Sequence, residues 1–107
     1  MAFLLSVGAS AVESTVQFEN NQVRVLKIKI MAHEVSVLHR DEYPHIVIPL
    51  KGGTITRLEV DGSMTDVDFP EGKVIFRKTD PVGEFHRSIN NTSNPIELII
   101  VYLKTQI

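Results

Sequence analysis

The sequence predicts an all-β fold, a double-sheet jelly roll closed into a small barrel. Three observations lead there. Turn-forming residues recur at short intervals along the chain. The segments between them are short, and either alternate with period two or are continuously apolar. No window carries a helical stripe, so about nine short strands have to account for a chain of 107 residues, and a jelly roll is how such a set closes on itself.

In order along the chain, residues 1–22 read as an N-terminal arm or edge strand, ahead of a barrel over 23–105 that completes a single domain. Met1 to Ala11 is apolar, and Ala9-Ser10-Ala11 imitates a cleavage site. No Lys or Arg precedes Arg24, so the basic start of a secretory signal is missing, and the stretch is too short to cross a bilayer. Val23 to Ile30 alternates: Arg24, Leu26, Ile28 and Ile30 on one side, Val23, Val25, Lys27 and Lys29 on the other, as in a strand with one wetter face. Met31 to Glu34 breaks it, and a short strand follows from Val35 to about His39. Arg40 to Pro44 is a loop. Ile46 to Leu50 reads as a buried strand in which Pro49, lacking a donor, belongs at an edge or a bulge. Lys51-Gly52-Gly53 turns the chain into Thr54 to Val60. Asp61-Gly62 then signals a two-residue hairpin, since both central positions of a type I′ turn need positive φ. Its partner strand is Ser63 to Phe69, with Met64, Asp66 and Asp68 on one side. After the turn at Pro70-Glu71-Gly72 come a strand from Lys73 to Arg77, a loop to Gly83 and a strand from Phe85 to Ile89. Asn90 to Pro95 is turn chemistry, and the strand Ile96 to Leu103, apolar apart from Glu97, belongs in the core.

Bulk properties narrow the function. A net charge of −2 and a pI near 6.0 give no basic footprint for nucleic acid or an anionic membrane. With no cysteine, neither disulfides nor thiolate ligands are available. Any metal site must use His, Asp or Glu, a harder donor set suited to Fe, Mn, Ni or Zn. The Asn-x-Thr/Ser matches at Asn90 and Asn91 carry no weight without secretion, and a cytoplasmic protein is expected.

The chemistry-bearing residues are concentrated in Val37 to Gly53, where His39, Asp41 and His45 fall close together, with His86 far downstream. Alternation puts His39 on the side of Val37 and Asp41, His45 on that of Val47 and Pro49, and His86 on that of Ser88 and Asn90. If the strands flanking Arg40 to Pro44 pair as a hairpin, His39 and His45 become cross-strand neighbours with Cβ atoms about 5 Å apart, near enough to share an ion.

Here the chain resembles the cupin superfamily, and in particular the small single-domain, RmlC-like cupins. His39-x-Asp41-x3-His45-x6-Gly52 overlays the first cupin motif, with Asp41 in place of its second histidine and His45 in place of its glutamate. Pro81-x-Gly83-x2-His86-x3-Asn90 matches the second half of the other motif, and Gly72 would be its opening glycine, three residues further from the proline than usual. The resemblance spans about Val23 to Leu103. It implies a double-stranded β-helix, a homodimer, and a divalent metal (Fe, Mn, Ni or Zn) held by His39, His45 and His86, with Asp41 either completing the set or orienting a histidine from outside it. The implied function is a metal-dependent dioxygenase- or isomerase-like enzyme acting on a small organic molecule; the alternative is a non-catalytic binding or sensing module with a metal-free pocket.

The remaining candidates have plainer readings. His33 lies in a turn and reads as a surface histidine. Glu42 reads as solvated loop, and Tyr43 as a pocket-mouth or packing residue. Arg57, Arg77 and Arg87 are the candidate anion clamps, against the ordinary reading that strand arginines are solvated. Asn90 reads as fixing its turn. No nucleophile–base–acid set, phosphate-cradling loop or nucleotide fingerprint is present, so no catalytic residue is assigned.

Overall fold

A computed structural model describes residues 12–105. Within them lie eight strands: β1 (Glu13–Glu19), β2 (Val23–Ile30), β3 (His45–Lys51), β4 (Gly53–Glu59), β5 (Met64–Phe69), β6 (Ile75–Arg77), β7 (His86–Ile89) and β8 (Ile96–Leu103). They form a five-stranded antiparallel sheet in the order β1-β2-β8-β3-β6 and a three-stranded one in the order β5-β4-β7. The fold is an all-β double-stranded β-helix, as the strand pattern and the motifs predict. The apolar arm at Phe3 to Val7 lies outside the described residues.

The apolar run of β8, interrupted only by Glu97, sits at the centre of the larger sheet, where both its edges are paired. Register fixes which side chains face inward, because directly opposed residues share a face. Ile96, Leu98, Ile100 and Tyr102 of β8 oppose Ile30, Ile28, Leu26 and Arg24 of β2. On the other edge, Leu98, Ile100 and Tyr102 oppose Pro49, Val47 and His45 of β3. The core forms where this inner row meets the smaller sheet: Ile30, Val47, Ile96 and Leu98 pack with Ile55 of β4 and Phe69 of β5. Burying each such side chain stabilises the fold by roughly 1.5–3 kcal/mol. The β3/β8 register slips between Pro49 and Lys51, so Pro49 does sit at a bulge, and its carbonyl accepts from Gly72 N–H at 2.9 Å.

Two expectations are corrected. The Asp61-Gly62 hairpin is not a two-residue type I′ turn. Glu59 N–H donates to Ser63 O and Gly62 N–H to Glu59 O, leaving a three-residue loop in which Gly62 has φ 91° and Asp61 has no positive φ. Asp61 stabilises this form by accepting from Ser63 N–H and Oγ–H. Nor is Val35 to His39 a continuous strand whose end forms a hairpin with β3. Val35 bridges Ile89 and His39 bridges His86, a four-residue step on one side against three on the other, so the ladder slips and Ser36 Oγ takes the Ser88 N–H instead. Residues 35–39 therefore run along β7 of the smaller sheet, while His45 opposes Tyr102 and Arg77 in the larger one. Arg40 to Pro44 is a crossover between sheets, and His39 and His45 are not cross-strand neighbours.

Gly52 sits at a close approach of two backbones. A Cβ there would lie 2.5 Å from Glu71 N and also collide with Phe69 O, both rigid backbone. Gly52→Ala is expected to cost about 3 kcal/mol of unfolding free energy, at the upper end for overpacking, read by chemical denaturation. A loss under about 0.5 kcal/mol would contradict this packing.

Candidate metal centre and its cavity

Two loops are sewn together to build the site. Asp80 N–H donates to Asp41 O (2.9 Å), and Asp41 N–H donates to the Asp80 carboxylate (2.8 Å). Arg40 reinforces the seam by donating to the carbonyls of Asp80 (2.8 Å) and Pro81 (3.0 Å). One strand step away, the backbones of His39 and His86 exchange both of their hydrogen bonds, at 2.9 and 2.8 Å. His39 and His86 are thereby direct neighbours, with ring centroids 4.3 Å apart.

His39, Asp41 and His86 each offer one ligand atom, and these atoms lie within 4.8 Å of one another. His86 is buried and the other two half-buried. The rings are oriented for ligation. His39 Nδ1 is 2.9 Å from Val37 O, and a carbonyl only accepts, so Nδ1 carries the proton and Nε2 keeps its lone pair. The same logic at His45, whose Nδ1 is 2.9 Å from Tyr43 O, also leaves Nε2 as the free acceptor. His86 Nε2 is 3.7 Å from Asp41 Oδ2, and its buried Nδ1 forms no hydrogen bond among the described residues, although Asp80 Oδ2 is 3.4 Å away. Two imidazoles and a carboxylate converging at one point, one ring held by no bond of its own, fit a divalent ion of the harder kind.

His45 stands apart from that group. It is buried on the inner face of β3 between Tyr102 and Arg77, with its ring 5.1 Å from the Tyr102 ring. His33 is exposed with φ 65°, a turn position as read from the sequence. Glu42 is exposed, and Tyr43 contributes its carbonyl to His45. Asn90 is fully buried, donating to the carbonyls of Ile30 and Asn94 and accepting from Thr92, so it does fix its turn.

Behind the ligating atoms lies a charged network. Asp80 Oδ1 pairs with Arg57 at 3.0 Å, and Arg57 also pairs closely with Glu59. Burial alone would raise the Asp80 pKa, but the Asp41 N–H and the Arg57 guanidinium outweigh it and hold the carboxyl below its ordinary value. Burial, then the neighbouring His39 and Arg57, push His86 below the ordinary histidine value; Asp41 and Asp80 act the other way without overcoming this. The ring is therefore neutral at pH 7, the form a metal requires. Tyr102 donates its phenol proton to Asp41 Oδ1 at 3.0 Å, while Asp41 Oδ2 is the oxygen facing His86. Burial, then the Asp41 charge, push the Tyr102 pKa far above the ordinary tyrosine value, so it remains a donor.

His39, Asp41, Arg57, His86 and Tyr102 mark the polar end of an inner cavity of about 310 Å³, whose remaining walls are mostly apolar side chains such as Ile28, Val47, Phe69 and Leu98. That is the lower end of the range for small-molecule pockets. A wider polar mouth of about 450 Å³ adjoins it and shares Asp41, His45, Arg57 and Arg77 with the interior.

Asp80 and Tyr102 were not singled out from the sequence. Asp80 sits in a stretch that reads as loop. Tyr102 ends an apolar run, and only the alternation Ile96, Leu98, Ile100, Tyr102 signals that its hydroxyl faces inward.

No family model matches the sequence, and no curated protein matches it. Solved structures do match in three dimensions. A cupin domain from Bordetella pertussis Tohama I aligns with a TM-score of 0.78 at 20% identity, covering 90% of this chain and 96% of that one. An RmlC-like cupin family protein with a double-stranded β-helix fold from Methanocaldococcus jannaschii aligns with a TM-score of 0.63 at 16% identity, covering 96% and 89%. The polyketide cyclase RemF from Streptomyces resistomycificus aligns with a TM-score of 0.64 at 16% identity, covering 92% and 68%. At these identities the likeness establishes the fold and leaves the chemistry to the site itself.

Proposed function

The chain has the fold of a small cupin domain, and from that premise we propose a metal-dependent protein that acts on a small organic molecule. The observation that carries the proposal is the convergence of His39, Asp41 and His86 at the polar end of an apolar cavity. A divalent ion held by these three residues would supply Lewis acidity, which isomerase-like or dioxygenase-like chemistry requires. The chain's own residues prepare the place. The bond from His39 Nδ1 to Val37 O fixes that ring, and Tyr102 holds Asp41 with one oxygen turned to His86. The apolar wall orients the body of the ligand and excludes water from the reacting end. RemF, a cyclase of the same fold, supports an enzymatic reading.

The proposal includes a homodimer. It is supported by β1, a seven-residue strand at the end of the larger sheet that is exposed along its whole length, since exposed edges of this kind invite pairing with another chain. No helix among the described residues is long and apolar enough to cross a membrane.

Elemental analysis and thermal unfolding of tag-free protein test the metal reading. About one Fe, Mn, Ni or Zn ion per chain is expected. Its removal by a chelator should lower stability by about 2.7 kcal/mol relative to protein in free metal a hundredfold above Kd, and readdition should restore it. A melting temperature indifferent to all four metals would leave a metal-free binding module instead.

A further inference from the structure

We infer that the cavity takes a small organic acid, a monocarboxylate on an apolar body, and that Arg77 is the residue that holds its anion. The inference deepens the reading of this cavity as a metal-dependent small-molecule site, and rests on it.

Register places Arg77 inward. It opposes His45 on β3, and Ile75, two residues earlier, opposes the buried Val47, so Arg77 and Ile75 share the face that lines the barrel. Arg77 is half-buried and borders both the inner cavity and the outer mouth. Among the described residues its guanidinium makes no ion pair and no side-chain hydrogen bond. The other two candidate clamps are already engaged: Arg57 by Glu59 and Asp80, and Arg87, exposed, by the carbonyl of Ser36 at 3.2 Å. A half-buried guanidinium with no partner among the described residues, at the junction of a polar entrance and an apolar interior, is suited to an anion carried on an apolar body.

Charge selects the kind of anion. Arg57 and Arg77 stand with Asp41, Asp80 and Glu59, which leaves one negative charge among these five side chains. A divalent ion converts this to one positive charge. A single carboxylate neutralises it, whereas a phosphate dianion overshoots beside the three fixed carboxylates. The planar fork of arginine also matches a carboxylate with two parallel bonds. Lys78 lies at the outer mouth only and is exposed, so it adds attraction at the entrance without a second buried charge.

The test is calorimetric titration of metal-loaded protein with hexanoate, benzoate, their amides and inorganic phosphate, with ion content measured on the same samples. At least one acid is expected to bind about tenfold or more tighter than its own amide and than phosphate. Arg77→Met should erase that preference, lowering acid affinity about tenfold while leaving amide affinity, ion content and melting temperature in place. Arg77→Lys should keep part of it, and serves as the second variant should the methionine variant fold poorly. Acids binding no better than amides, phosphate binding best, or an acid affinity untouched in both variants would overturn the assignment. A chain that holds no ion, yet prefers the acid through Arg77, would instead refute the metal reading and leave the acid site standing.

Discussion

His86→Ala is expected to lower metal affinity by more than about 100-fold. Replacing residues that merely support a ligand typically costs 10–100-fold, and His86 sits at the centre of the group itself. Its ring centroid lies 4.3 Å from that of His39, and its Nε2 lies 3.7 Å from Asp41 Oδ2. The metal-free protein should lose little by the same change, about 1 kcal/mol, because the His86 ring makes no hydrogen bond through Nδ1 and borders an existing cavity. A large affinity loss with a small stability loss marks a ligand; the reverse would mark a structural histidine. His45→Ala sharpens the comparison, since its ring lies outside the three-residue group. It should lower metal affinity by no more than about tenfold. If it matched His86→Ala, the four-residue set implied by the motif resemblance would be the correct one. Calorimetric metal titration and thermal unfolding of the three proteins decide between these outcomes.

Asp80→Asn should destabilise the protein by about 3 kcal/mol. The carboxylate satisfies the Asp41 N–H and balances Arg57 at a buried position, and removing one partner of such a pair typically costs 3–5 kcal/mol. The lower end is expected because Glu59 still faces Arg57. The change also alters the response to acid. The folded protein holds the Asp80 pKa below its ordinary value of 3.8, so the folded state binds a proton less readily than the unfolded one between those two points. Stability from Asp80 is therefore complete above about pH 3.8 and is lost as pH falls through the depressed folded value. Asp80→Asn should flatten that part of the stability profile while leaving the region near neutrality parallel to wild type. Denaturant midpoints across pH 2.5–7 would show it, and an unchanged acid limb would remove Asp80 from the network.

Local pattern made much of this molecule legible in its sequence, and long-range pairing set the limit. The bounds of β2 and β8 match the alternating run Val23 to Ile30 and the apolar run Ile96 to Leu103, because burial on one or both faces writes itself directly into residue type. Alternation puts His45 on the face of Val47 and His86 on that of Ser88, all of which line the cavity, whereas His39 and Asp41 enter it from an irregular segment. What alternation cannot say is which strand lies beside which. Five loop residues between His39 and His45 are compatible with a hairpin or with a crossover between sheets, and only the bridge from His39 to His86 distinguishes them. Asp80 was hidden for a related reason. Its role arises from a bond to Asp41, 39 residues away, and nothing in the surrounding turn-rich stretch marks it. Tyr102 was hidden by its company, an aromatic residue in an apolar run whose hydroxyl finds Asp41 only once β8 is seated between β2 and β3.

Anomalous diffraction at the metal absorption edge, from crystals of tag-free protein grown with the ion it retains, bears most directly on the central claim. The expected result is one strong peak about 2.0–2.2 Å from Nε2 of His39, Nε2 of His86 and a carboxylate oxygen of Asp41. A peak elsewhere on the surface, or none between these three side chains, would contradict the account.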